Sequence, residues 1–165
     1  MKAIAGMLAG LALIAAGCGS SSSSGSSSTG TSTPATTSPV STTATVSTAK
    51  VAGLGTVLVN SKGHTLYMFA PDKKQRVTCV GSCAALWPPL KLSGAMPTAG
   101  GQAKSSLLGS DPDPSGGRVV TYAGWPLYTY VPDSKAGEAA GQAVNANGGL
   151  WYVLSPSGTI VHTKP

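Results

Sequence analysis

Two stretches of this chain match at a constant offset of 61 residues, and this internal repeat limits the fold more than any other feature. The first runs Val59-Asn-Ser-Lys-Gly63-His-Thr-Leu66-Tyr67-Met-Phe69-Ala-Pro71-Asp72-Lys-Lys74. The second runs Val120-Thr-Tyr-Ala-Gly124-Trp-Pro-Leu127-Tyr128-Thr-Tyr130-Val-Pro132-Asp133-Ser-Lys135. Val, Gly, Leu, Tyr, an aromatic, Pro, Asp and Lys recur in register, and after three inserted residues Leu86-Trp87 corresponds to Leu150-Trp151. Two such copies predict pseudo-symmetric hairpins of one domain, with Leu66 and Leu127 in equivalent places.

Each copy reads as a hairpin followed by a turn. Thr56 to Val59 is a β-branched run, Asn60 to Gly63 has turn chemistry, and Thr65 to Phe69 is the returning strand. In the second copy Arg118 to Tyr122 is the first strand, Ala123-Gly124 the turn, and Pro126 to Val131 the return. A last hairpin joins Leu150–Leu154 to Thr159–His162 through Ser155-Pro-Ser-Gly158. Ser82 is positioned to cap one helical turn, Cys83 to Trp87, stopped by Pro88-Pro89. The expected fold is mainly β, a single small domain over residues 50–165 with at most one short helix. Its first repeat covers about 51–92 and its second about 118–165. Residues 93–117, mostly small residues, Gly and Pro, read as a loop between them. Charged residues make up only 10% of the chain against 22 Gly and 12 Pro, a balance suited to short strands and many turns.

The amino terminus carries a different signal. Lys2 precedes an apolar run from Ala3 to Ala16, too short to span a bilayer and of the length of a signal-peptide apolar region. Its end, Leu13-Ile-Ala-Ala-Gly17-Cys18, resembles a bacterial lipobox, with Ala15 where Leu is commonest. The expectation is a signal peptide over residues 1–17, lipidation of Cys18, and membrane anchoring outside the cytoplasm. Of the 31 residues from 19 to 49, 21 are Ser or Thr and none is charged or aromatic. Such a segment buries too little apolar surface to offset its ordering entropy and reads as a tether spanning roughly 30 Å.

Without Lys2 the mature chain keeps ten basic residues against five acidic ones, scattered apart from Lys73, Lys74 and Arg76. No basic stripe is present, so nucleic acid is not an expected partner. With Cys18 lipidated, Cys79 and Cys83 remain as a pair, and Gly81 between them lets the chain bend enough to close a ring. Outside the cytoplasm the main reading is a disulfide, with a redox-active pair or a metal site as the alternatives.

The repeated motif resembles a family of bacterial lipoproteins with duplicated Tyr-x-aromatic-x-x-Asp units, known mainly as secreted repeats of unknown function. Tyr67-Met-Phe69-Ala-Pro-Asp72 and Tyr128-Thr-Tyr130-Val-Pro-Asp133 carry the likeness, with Cys79-x-Gly-x-Cys83, Trp87-Pro-Pro and Gly149-Leu-Trp151. The resemblance implies a lipoprotein class and a location, and no activity.

The candidate contact residues are Tyr67, Phe69, Asp72, Trp87, Tyr128, Tyr130, Asp133 and Trp151. Tyr67 and Phe69 share one strand face, as do Tyr128 and Tyr130, and both pairs are expected first as core. Five Tyr and three Trp against one Phe nevertheless suggest a half-exposed aromatic face, with Trp87 and Trp151 partly open to a sugar or a protein. Asp72 and Asp133 follow Pro and read first as turn residues. No catalytic constellation, metal site or cofactor is expected. Two function classes follow. One is a tethered, non-catalytic binding or structural module that contacts an envelope polymer or protein. The other is a redox, metal- or haem-handling module using Cys79 and Cys83 with Met68 or Met96, and His64.

Overall fold

The computed structural model describes residues 45–164 except 74, 75 and 95. The expected signal peptide, Cys18 and the expected tether up to residue 44 lie outside the described residues. The fold is mainly β. Strands β1 (Val46–Val51) and β2 (Gly55–Asn60) form one antiparallel pair. Strand β3 (Tyr67–Phe69) runs into a 3-10 turn at Ala70–Asp72, and helix α1 covers Ser82–Leu86. Strands β4 (Leu108–Pro112), β5 (Arg118–Tyr122) and β6 (Trp125–Pro126) form a second sheet in that order. Strands β7 (Asn145–Ala146) and β8 (Gly149–Val153) complete the third, in the order β3-β8-β7.

The two copies share one plan. Ser47 of β1 faces Val59 of β2, and Ser110 of β4 faces the equivalent Val120 of β5. β1 and β4 are thus the same element, and both fall where composition argued for none. The tether does not extend to residue 49, because Val46 to Val51 pairs along its whole length with β2. Its Ser and Thr residues form a strand once a partner supplies the ladder and Val46 and Val51 reach the interior. Likewise the stretch 93–117 is no plain loop. It contains a 3-10 turn at Ser105–Leu107 and then β4, and its residues Thr98 and Gly100 hydrogen-bond to Val46.

The expected turns form. Ala123 and Gly124 both adopt positive φ (50° and 81°) between β5 and β6, the geometry of a tight hairpin turn whose twist matches its strands. Ser155 to Gly158 turns β8 back so that Leu154 bridges Ile160. Helix α1 starts one residue early, with Gly81 rather than Ser82 at its cap, and Trp87 ends it before the prolines.

The returning strands do not close their own hairpins fully. Tyr67 and Phe69 of β3 pair with Val153 and Trp151 of β8, across copies. The equivalent strand of the second copy does the reverse: Tyr128 bridges Pro89, Thr129 N–H donates to the Pro88 carbonyl, and Val131 N–H to that of Leu86. Pro88 and Pro89 have no N–H to return, so this second exchange is irregular where β3·β8 is a regular ladder. Between the exchanges Tyr67 and Tyr128 trade both backbone bonds at 2.8 and 2.9 Å, which places a pseudo-twofold axis between them.

Side-chain alternation then divides the interior in two. Tyr67, Phe69, Trp87, Tyr128, Trp151 and Val153 gather on one side with both cysteines. Leu66, Met68, Val120, Tyr122, Leu127 and Leu154 gather on the other. Leu66 and Tyr67 therefore face opposite sides, as the period of a strand requires, and both sides are core.

Because each copy supplies a strand to the other, neither half should hold structure alone. Expressed separately, fragments 45–92 and 93–164 are expected to lack a cooperative thermal transition and to regain it, with near-UV circular dichroism, on mixing. A cooperative transition in either isolated fragment would contradict this interlock.

Candidate functional site

The repeated motif converges on the pseudo-twofold axis. The 3-10 turn holding Pro71 places Asp72 inward, and the corresponding turn, with Asp133 N–H bonded to the Tyr130 carbonyl, does the same for Asp133. Both carboxylates are buried. Each has one oxygen for its own copy and one for the other. Asp72 Oδ1 accepts from Thr78 N–H (2.9 Å) and Thr78 Oγ1 (2.6 Å), and Asp133 Oδ1 accepts from Ala140 N–H (2.9 Å). Asp72 Oδ2 accepts from the Tyr128 hydroxyl at 2.7 Å, and Asp133 Oδ2 from the Tyr67 hydroxyl at 2.5 Å. The phenols are thus exchanged between copies just as the strands are. The aspartates do hold local backbone, but they are not chiefly turn residues.

The rings obey the same symmetry. Trp87 and Trp151 stack at 3.9 Å with planes 4° apart. Phe69 lies on the outer face of Trp151 at 4.1 Å, and its counterpart Tyr130 on the outer face of Trp87 at 4.0 Å. Tyr67 stands edge-on to Trp87 at 5.4 Å and Tyr128 edge-on to Trp151 at 5.2 Å. Stacked and edge-to-face pairs add about 0.5–1.5 kcal/mol each beyond the area they bury. Gly141 admits the cluster: a Cβ there would lie 2.7 Å from Trp87 Cη2 and 3.0 Å from Tyr67 Cζ.

All eight candidate contact residues therefore come together, but as a closed core. Trp87 and Trp151 are 0% exposed, which corrects the expectation that they are partly open. Each tryptophan is covered on one face by the other and on the opposite face by the other copy's aromatic. The preference for Tyr and Trp over Phe has another cause. Buried phenols find carboxylates, and Trp151 Nε1 donates to the Ala146 carbonyl. Of the eight, Tyr130 retains partial exposure. Cys79 and Cys83 form a disulfide beside these rings, both buried. Sequence reasoning missed Thr78, Ala140 and Gly141. The repeat held the signal, since Thr78-Cys79 corresponds to Ala140-Gly141 once one inserted residue is allowed. It also missed Gln142, whose buried amide holds the carbonyls of Val161 and Thr163 and accepts from Val153 N–H.

A shallow concavity of about 350 Å³ lies elsewhere, lined by Ser47, Thr48, Val59, Asn60 and Gly63 among others, and none of the motif residues borders it. Among the described residues no cluster of three or more His, Cys, Asp or Glu side chains converges as a metal site.

Burial pushes both bridging phenols far above the ordinary tyrosine range, and the facing carboxylates reinforce this. Burial also raises the Asp72 carboxyl, opposed by its bonds from Thr78 and Tyr128. The phenols stay protonated in the folded state while unfolded chains ionise near pH 10. Above that pH the native state holds more protons, so stability is lost as pH rises. Each phenol should contribute a slope of up to about 1.4 kcal/mol per pH unit. Urea denaturation from pH 9 upward should show this fall, and Tyr67→Phe with Tyr128→Phe should flatten it. An equally steep fall in the double variant would refute the assignment.

Asp72→Asn is expected to be costly rather than mild. The amide keeps one acceptor but turns an NH2 group toward a donor, leaving a buried group unsatisfied at about 1–3 kcal/mol. Thermal denaturation measures it, and an unchanged midpoint would show that the cross-copy bond carries no stability.

No curated protein and no solved structure matches this chain. The family described as "secreted repeat of unknown function" matches it twice, over residues 48–91 and 111–155. Those boundaries fall within the two interlocked copies and take in most of β1, from Thr48, and the last residues of β4, the strands that composition hid. The description indicates an extracytoplasmic protein. The chain belongs to this family of secreted repeats of unknown function.

Proposed function

We propose that this protein is a lipid-anchored module of the bacterial cell envelope, held at the membrane through Cys18 and serving a non-catalytic binding or structural role toward an envelope polymer or protein. One observation carries the reading. The motif residues meet one another in the interior, carboxylate to phenol and ring to ring, and leave contact to the outer surface. What the repeat preserves is the domain itself, at the end of a tether.

The Ser- and Thr-rich composition before the domain suits this role, since it is the composition of a spacer between an anchor and a folded module. The contact face then uses the outer surface in place of the buried rings. Leu86 and Val131 are both exposed and are joined by the Val131 N–H bond to the Leu86 carbonyl, one residue from each copy.

Replacing Cys18 with Ser in the full-length chain is expected to move the protein from the membrane fraction to the soluble fraction and to remove the acyl mass. Two or three acyl chains anchor stably where one binds marginally. Unchanged membrane retention and unchanged mass would overturn the anchor. Retention of envelope polymers or proteins by the wild-type domain, lost in Val131→Asp, would support the contact face. Equal retention by both would remove that face from the proposal.

A further inference from the structure

The ring cluster has a property that packing alone does not require. Tyr130, Trp87, Trp151 and Phe69 form an unbroken column of stacked rings at 4.0, 3.9 and 4.1 Å. Beside its two central rings stand Tyr67 and Tyr128, each donating to a buried carboxylate. The column is symmetric in position but not in chemistry. Its buried end is Phe69, which does not oxidise readily, and its partly exposed end is Tyr130, which does.

The tryptophans and tyrosines also differ in what they can do with a proton. Among the described residues Trp87 Nε1 is buried with no hydrogen-bond partner, and the partner of Trp151 Nε1 is the amide carbonyl of Ala146, which is a very weak base. An indole that loses an electron here has nowhere to send its proton and passes the deficit on. Each bridging phenol already points its O–H at a carboxylate oxygen, an acceptor able to take the proton outright.

We propose that this column is a conduit and trap for single oxidising equivalents, entering at Tyr130 and coming to rest on Tyr67 and Tyr128. A one-electron oxidant at the surface withdraws an electron through Tyr130 and Trp87. The O–H bond of Tyr67 breaks as the electron leaves, its proton moving to Asp133 Oδ2. The products are a neutral tyrosyl radical, a protonated carboxyl and the one-electron-reduced oxidant. Passage on to Trp151 gives the same step at Tyr128 and Asp72. A one-electron donor such as ascorbate reverses it, the proton returning to the phenolate oxygen as the electron arrives. The substrate class is thus a one-electron oxidant, met stoichiometrically, and this activity is independent of the anchoring and contact role proposed above.

The test uses the full-length protein in detergent, oxidised by photo-oxidised tris-bipyridyl ruthenium with persulfate as the terminal acceptor, then frozen for electron paramagnetic resonance. The wild type is expected to give a neutral tyrosyl signal. Tyr67→Phe with Tyr128→Phe, which keeps every ring, should lose that signal and show a tryptophan radical cation instead. Tyr130→Phe should lower the yield at fixed illumination, and Asp133→Asn should remove the Tyr67 contribution alone. Near-UV circular dichroism identifies any variant that has lost the ring cluster, and the Phe variants then carry the comparison. A wild-type tyrosyl yield in the doubly substituted chain would place the radical on Tyr122, Tyr130 or Tyr152 and overturn the trap. An unchanged yield in Tyr130→Phe would overturn the point of entry.

Discussion

A carboxylate is tolerated in an apolar interior only when its lone pairs are taken up by donors that stay in place. In this domain the donor at one oxygen of each aspartate belongs to the other copy of the repeat. That condition propagates outward. For Tyr67 to reach Asp133 and Tyr128 to reach Asp72, their strands must run side by side across the axis, and the two backbone bonds between them hold them there. With the phenols fixed, the indoles beneath them have one place left, face to face on the axis. The ladder between β3 and β8 and its irregular counterpart at Pro88 and Pro89 then follow from where Trp151 and Trp87 must lie.

Local features of the chain were readable where residue chemistry acts over a few positions. Gly124 after Ala123, Gly158 closing its turn, the prolines after Trp87 and the period-two pattern around Leu66 and Tyr67 all act at that range. So does the short cysteine loop, whose closure needs only a bend at Gly81. Hidden features were those whose stability comes from a remote partner. β1 has the composition of a linker and becomes a strand because β2 lies beside it. β4 looks like loop for the same reason, with Gly109 and Pro112 in its sequence. Burial of Trp87 and Trp151 was illegible for a further reason: each covers the other, and nothing in either local sequence records the position of the second.

The aromatic composition illustrates how one observation can support two structures. Many Tyr and Trp with little Phe suggested a half-wet surface, because polar ring ends need partners. The same need is met here in the interior, by carboxylates for two phenols and a carbonyl for one indole. Which solution a chain adopts depends on acids at the right remove. Asp72 and Asp133 lie five residues beyond Tyr67 and Tyr128, too near to serve their own tyrosine across a turn and well placed to serve the other copy's.

The copies differ where Cys79 stands in the first and Gly141 in the second. Gly141 lets backbone approach Trp87 and Tyr67, whereas Cys79 lies in the equivalent place tied to Cys83 four residues on. That crosslink needs no residue of the second copy, since both its ends lie within one short loop. An exported chain emerges amino terminus first, so the copy that must wait for its partner is the one that can fasten itself. The asymmetry therefore has a direction in time: the early half can close its crosslink before its partner arrives, and the late half requires only the absence of a side chain where the two meet.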